Sequence, residues 1–130
     1  MYTLFIDSKD FSNIEQFFYY LSAIFLSDRN DMEISNFDSL ADVIEGGFGP
    51  VSYGENIQVK WKGFKKSVKD LGVQETVKYL TKRLQGCHPS AREEVKEQII
   101  FAQTEDNYTL FYFILGVFMD ADNVKSVELF

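Results

Sequence analysis

Asp38, Asp42 and Glu45 fall at i, i+4, i+7 within Asn36–Gly49, NFDSLADVIEGGFG. A helix there sets three carboxylates along one face. Such a row can hold a divalent cation such as Mg²⁺, work as an acid–base pair, or meet the Arg and Lys side chains of a basic partner. No Lys or Arg occurs between Arg29 and Lys60, so nothing near in the chain neutralises the acids. Like charges at i, i+4 destabilise a helix by about 0.2–0.5 kcal/mol per pair. The macrodipole favours Asp38 near the start and disfavours Glu45 near the end. A helix that carries this cost with no return inside its own fold points to a cationic partner. A solvated acidic face is the plainer reading. A metal site on one helix needs further oxygen ligands from elsewhere, and the sequence marks none. A metal-assisted hydrolase using the same acids is the alternative function.

Other residues with reactive or ligating chemistry carry less. Cys87-His88 pairs a thiol with an imidazole, but adjacent residues rarely face each other as nucleophile and base. A pair at a helix end is expected. His88 is the only histidine, so a His-rich metal site is excluded. The glycines of GGFGPVSYG are not followed by Lys-Ser or Lys-Thr and a helix, so they read as turns and not as a phosphate loop. Tyr53 and Trp61 could form a binding platform, although Trp61 sits in a predicted strand and is expected in the core. Lys60, Lys62, Lys65, Lys66 and Lys69 are expected on a solvated face.

The elements that must position the acids follow from periodicity. Tyr2–Ile6 is a β-prone run. Ser12-Asn13-Ile14-Glu15 fits a capping box, and opens a helix with Ile14, Phe17, Phe18, Leu21, Ile24 and Phe25 on one face. Asn36 is the expected N-cap of the acidic helix, whose buried stripe is read as Phe37, Leu40, Ala41 and Ile44. Gly46-Gly47 ends it. Ile57–Trp61 alternates as a second strand. Helices are expected over Gly63–Leu71, Val73–Leu84 (with Val73, Val77, Leu80 and Leu84 buried), from a second capping box at Ser90–Glu93 to about Ala102, and over Tyr108–Phe118. Val124–Leu129 reads as a closing strand. The order β-α-α-β-α-α-α-α-β predicts a small α/β fold, a three-stranded parallel sheet flanked by helices in a single domain over 1–130.

Composition narrows the function. Net charge is −7 over 130 residues, which argues against nucleic acid or an anionic membrane as direct ligand and for a basic protein partner. Residues 1–56 hold ten acids against Lys9 and Arg29, and residues 57–96 hold ten bases against Asp70, Glu75, Glu93 and Glu94. The molecule is therefore expected to be dipolar. Cys87 is the only cysteine, so no internal disulfide forms and a reducing compartment, the cytoplasm, is expected. The start MYTLFIDSKD lacks the pattern of a signal peptide.

YTLFIDSKDFSNIEQFF followed by NFDSLADVIEGGFG resembles the barstar family of small intracellular ribonuclease inhibitors. IQVKWKGFKKSVKDLG, CHPSAREEV and TLFYFILGVF resemble a longer branch of that family, in which GGFG follows the acidic helix. The likeness runs along nearly the whole chain. Asp38 and Asp42 match the two motif acids and Gly46 the motif glycine; Phe37 stands in place of Leu and Ser39 in place of Ala. Ala41 and Gly47 stand where the best-known inhibitor has tryptophans. The resemblance implies that Asn36, Asp38, Ser39, Asp42, Glu45, Gly46, Gly47 and Phe48 contact a cognate basic ribonuclease or nuclease toxin, with no catalytic residue, cofactor or metal. It implies a further acid from a late helix, for which Glu105 or Asp106 is the candidate.

Overall fold

The computed structural model describes residues 1–130. Three strands and six helices follow in the order β1 (Tyr2–Asp7), α1 (Ile14–Phe25), α2 (Phe37–Ile44), β2 (Ile57–Lys62), α3 (Phe64–Asp70), α4 (Val73–Gly86), α5 (Arg92–Thr104), α6 (Leu110–Asp120) and β3 (Val124–Leu129). The strands form one sheet in the order β1-β2-β3, and both pairings are parallel. Right-handed crossovers between sequential neighbours return on the same side of a sheet, so the helices gather on one face. Burial agrees. Leu4, Ile6, Ile57, Val59 and Trp61 are buried, while Thr3, Phe5, Ser126 and Glu128 on the opposite face are exposed.

The β2–β3 register slips next to the acidic helix. Ile57 pairs with Val124 but Gln58 with Ser126, so Lys125 is skipped. Trp61 is wholly buried, as its place in β2 predicts. Phe17 stacks on its ring at 5.7 Å and Phe111 meets it edge-on at 5.1 Å. Its indole N–H donates to the buried Ser67 hydroxyl at 3.1 Å. The core around it includes Phe17, Leu21, Phe25, Leu40 and Ile44, none of which reaches solvent.

Several local expectations shift. The α1 cap is Asn13, one residue later than the Ser12 box predicts. Its side chain accepts from the Gln16 amide at 2.8 Å, and the Gln16 side chain accepts from the Ser12 amide at 2.8 Å. The freed Ile14 amide donates to the Glu75 carboxylate at 2.9 Å, so an acid from α4 sits on the positive end of α1. The second capping box is not made: His88, not Ser90, accepts from a backbone amide, and it opens a short 3-10 turn before α5. Val73, expected in the core, is exposed, and Thr76 takes the inward place in the first turn of α4. No helix is long and apolar enough to cross a membrane.

Candidate functional site

The acidic helix begins with a reciprocal cap. Asn36 Oδ1 accepts from the Ser39 amide at 2.7 Å, and Ser39 Oγ accepts from the Asn36 amide at 3.1 Å. Ser39 Oγ also accepts from the Ser35 amide at 3.0 Å. Both side chains therefore serve the backbone first, whatever else they touch.

From this start the helix buries Leu40, Val43 and Ile44, and half-buries Phe37. The Phe37 ring lies edge-on to Phe18, Tyr79 and Phe113 at 5.5–6.0 Å. Ala41, expected in the buried stripe, is exposed, and Val43 takes the inward place. The larger side chain wins the core because it removes more apolar surface from water. The outward face is then Asp38, Ala41, Asp42 and Glu45. None of the three acids forms an ion pair in the fold.

Two glycines turn the chain after Glu45. Gly46 has φ +101° and Gly47 φ +87°, both in the left-handed region. Gly46 is buried, and a Cβ there would lie 2.2 Å from the Ser52 carbonyl oxygen. Its conformation lets the following loop close against α2. Gly47 is exposed. Phe48 is half-buried, with the Arg29 guanidinium 5.9 Å above its ring.

Beside α2 lies a cleft of about 580 Å³. Phe37, Asp38, Ala41 and Glu45 form one wall, Tyr53, Gly54 and Asn56 one end, and Asp120, Ala121, Asp122 and Asn123 the facing wall. Four acids line it against the single cation Lys125, whose ammonium donates to the Asp122 carbonyl at 2.8 Å. Asp42 lies exposed on the helix outside the cleft. Tyr79 stands beneath the Phe37 ring and near Asp38. Its phenol is pushed above its ordinary value chiefly by burial, with Arg83 pulling it down and Asp38 pushing it up.

Asp120 and Asp122 are the acids that reading the sequence missed. They sit more than 70 positions from Asp38, and only the crossover back to β3 brings them to α2. Glu105 and Asp106, the candidates for a further acid, lie in the turn after α5 and do not line the cleft. Tyr53 is 80% exposed at the cleft's end, whereas Trp61 is core, so the two rings do not form one platform.

The remaining candidates are accounted for locally. Cys87 Sγ donates to the Leu84 carbonyl at 3.5 Å, and His88 Nδ1 accepts from the Ser90 amide at 3.1 Å. Each finishes a helix end. Lys66 donates to the Ser8 and Phe11 carbonyls at 3.1 and 2.9 Å and pairs with Asp70, so one lysine of the basic cluster is structural. No three carboxylate, imidazole or thiol groups come close enough together to hold a metal ion.

Comparison with protein-family models, with curated proteins and with solved structures finds no match.

Proposed function

We propose that the chain is an intracellular inhibitor, or immunity protein, of a basic bacterial ribonuclease, and that α2 with the loop after it blocks the cationic active site. The observation that carries this reading is the unpaired row Asp38, Asp42 and Glu45 on a capped, well-packed helix, with Asp120 and Asp122 facing it across a cleft. Ribonuclease active sites hold Arg and Lys to bind phosphate. Carboxylates on a rigid element stand in for phosphate oxygens through charge-assisted, often bidentate hydrogen bonds. Because α2 is already ordered, little conformational freedom is lost when the partner docks. The exposed Tyr53 ring adds a face on which a guanidinium can rest. The barstar-family resemblance of the same segment supports the reading.

A metal-assisted hydrolase draws less support from the same acids, since their side chains do not converge on a common point. The two readings also separate in solution: Mg²⁺ raises the thermal stability of a hydrolase site and leaves that of an inhibitor unchanged.

The direct experiment is an RNA-cleavage assay with small basic bacterial ribonucleases of the barnase type and of nuclease toxins. The chain is expected to abolish cleavage by its target at equimolar ratio, and the Asp38→Asn/Asp42→Asn double variant to release it. Full cleavage by every such enzyme in the presence of excess chain refutes the proposal.

A further inference from the structure

The last carbonyls of a helix have no partner within it. At the end of α2 the Glu45 and Gly46 amides return to the Ala41 and Val43 carbonyls at 3.3 and 3.1 Å. The Ile44 carbonyl accepts instead from a distant side chain, the Asn123 amide nitrogen, at 2.8 Å. The same nitrogen donates to the Glu55 carbonyl at 3.0 Å. The Asn123 backbone carbonyl accepts from the Ile57 amide at 2.7 Å. One half-buried residue therefore joins the end of α2, the entry to β2 and the turn between α6 and β3.

The chemistry needs asparagine. Two carbonyl oxygens must be met by N–H groups from one short side chain, and the amide carries two donors. An aspartate of the same shape has none when ionised, and would face both carbonyls with like partial charge. The location matters as much. Ile44 precedes Glu45 on one wall of the cleft, and Asn123 follows Asp122 on the other. The two acidic walls are thus tied together beside the cleft by this amide.

We infer that Asn123 is a positioning residue, which sets the spacing of Glu45 and α2 from Asp120 and Asp122 and so tunes recognition of a cationic partner. The inference rests on the inhibitor reading for its functional consequence, and on the hydrogen bonds alone for its structural one. A pair of guanidinium contacts made from two walls depends on their separation, so a wall free to shift weakens binding with no change of net charge.

Amide hydrogen exchange on Asn123→Ala and on Asn123→Ser, which keeps one donor, tests the structural part. Gly54, whose amide donates to the Glu45 carbonyl at 2.9 Å, and Gly47, whose amide donates to the Val51 carbonyl at 2.8 Å, report on the tie. Their exchange is expected to rise about tenfold in Asn123→Ala, and less in Asn123→Ser, while amides of β2 beyond Ile57 change much less. Ser67→Ala, which loses the Trp61 indole bond far from the cleft, serves as a control for general destabilisation. Equal acceleration in β2 and in the tied segment, or none anywhere, overturns the inference. A hexa-arginine peptide at low ionic strength tests the functional part. It is expected to shift the Glu45, Asp120 and Asp122 signals and to bind Asn123→Ala several-fold more weakly, with Ser67→Ala unchanged. Equal affinity for Asn123→Ala and the parent chain overturns the functional part. Failure of the parent chain to bind the peptide counts against the cationic-partner reading, and the exchange rates then decide the role of Asn123 by themselves.

Discussion

Asn36 and Ser39 cap each other: the Asn36 side chain accepts the Ser39 amide at 2.7 Å, and the Ser39 hydroxyl accepts the Asn36 amide at 3.1 Å. The pair sets where α2 starts, and hence where Asp38, in the first turn, projects. Ser39→Ala removes one arm of the box. It is expected to lower stability by under about 1 kcal/mol, less than loss of the N-cap itself, because the Asn36 side chain still accepts from the residue-39 amide. Denaturant unfolding of the two proteins measures the difference, and an unchanged midpoint means that the box does not hold the helix.

Gly46 and Gly54 separate backbone strain from crowding. Both lie at positive φ, at +101° and +74°. A Cβ at Gly46 meets the Ser52 carbonyl oxygen at 2.2 Å, whereas at Gly54 nothing lies within 4 Å. Gly54→Ala is expected to cost about 1–3 kcal/mol from conformation. Gly46→Ala carries the same strain and also displaces the Ser52–Tyr53 backbone, so its loss is larger. Unfolding curves rank the two, and the reverse order contradicts this account of the loop.

Asp42→Asn tests whether the row of acids serves stability or a partner. The isolated protein is expected to be as stable or slightly more stable, since one like charge leaves the helix and no ion pair is lost. Affinity for the target ribonuclease is expected to fall by on the order of 2–5 kcal/mol, because a cationic group of the partner is left unpaired. A strongly destabilised variant makes Asp42 structural and removes it from the interface.

Burial raises the phenols of Tyr2, Tyr20 and Tyr79 above their ordinary value of 10.0. The unfolded chain ionises first, so the stability these neutral phenols contribute is complete below pH 10.0 and is lost as pH rises through their folded values. Unfolding free energy is expected to fall in that alkaline window, and Tyr79→Phe to fall less steeply. Matching slopes for the two proteins remove Tyr79 from this effect.

The sheet was legible because its signals are local. Alternation marks β2 and β3, and Val124–Leu129 is found with the bounds that the alternation predicts. The start of the acidic helix was legible for the same reason, since Asn36 and Ser39 are three residues apart. The helix's facing was not wholly so. In an eight-residue helix, stripes through Ala41 or Val43 both satisfy the helical period, and alanine is small enough to be indifferent to exposure. The caps at Asn13 and His88 were displaced because several polar residues compete within one turn, and the winner depends on where the helix docks. The facing wall of the cleft was hidden altogether. Asp120, Asp122 and Asn123 follow an apolar helix in the sequence, and only a sheet with β3 beside β2 carries them to α2. No spacing rule spans such a distance.

Electrostatic capture by the acidic row is the central claim, and the association rate is its most direct measure. Stopped-flow mixing with the target ribonuclease is carried out at rising salt, where the Debye length shrinks from about 30 Å at 0.01 M to about 3 Å at 1 M. The association rate is expected to fall steeply over this range, and the dissociation rate to change much less, because docked pairs are held by short contacts away from solvent. Asp38→Asn/Asp42→Asn is expected to flatten the salt dependence. An association rate indifferent to salt, or a slope unaltered by the double variant, contradicts the account and moves the interface to the apolar surface around Phe48 and Tyr53.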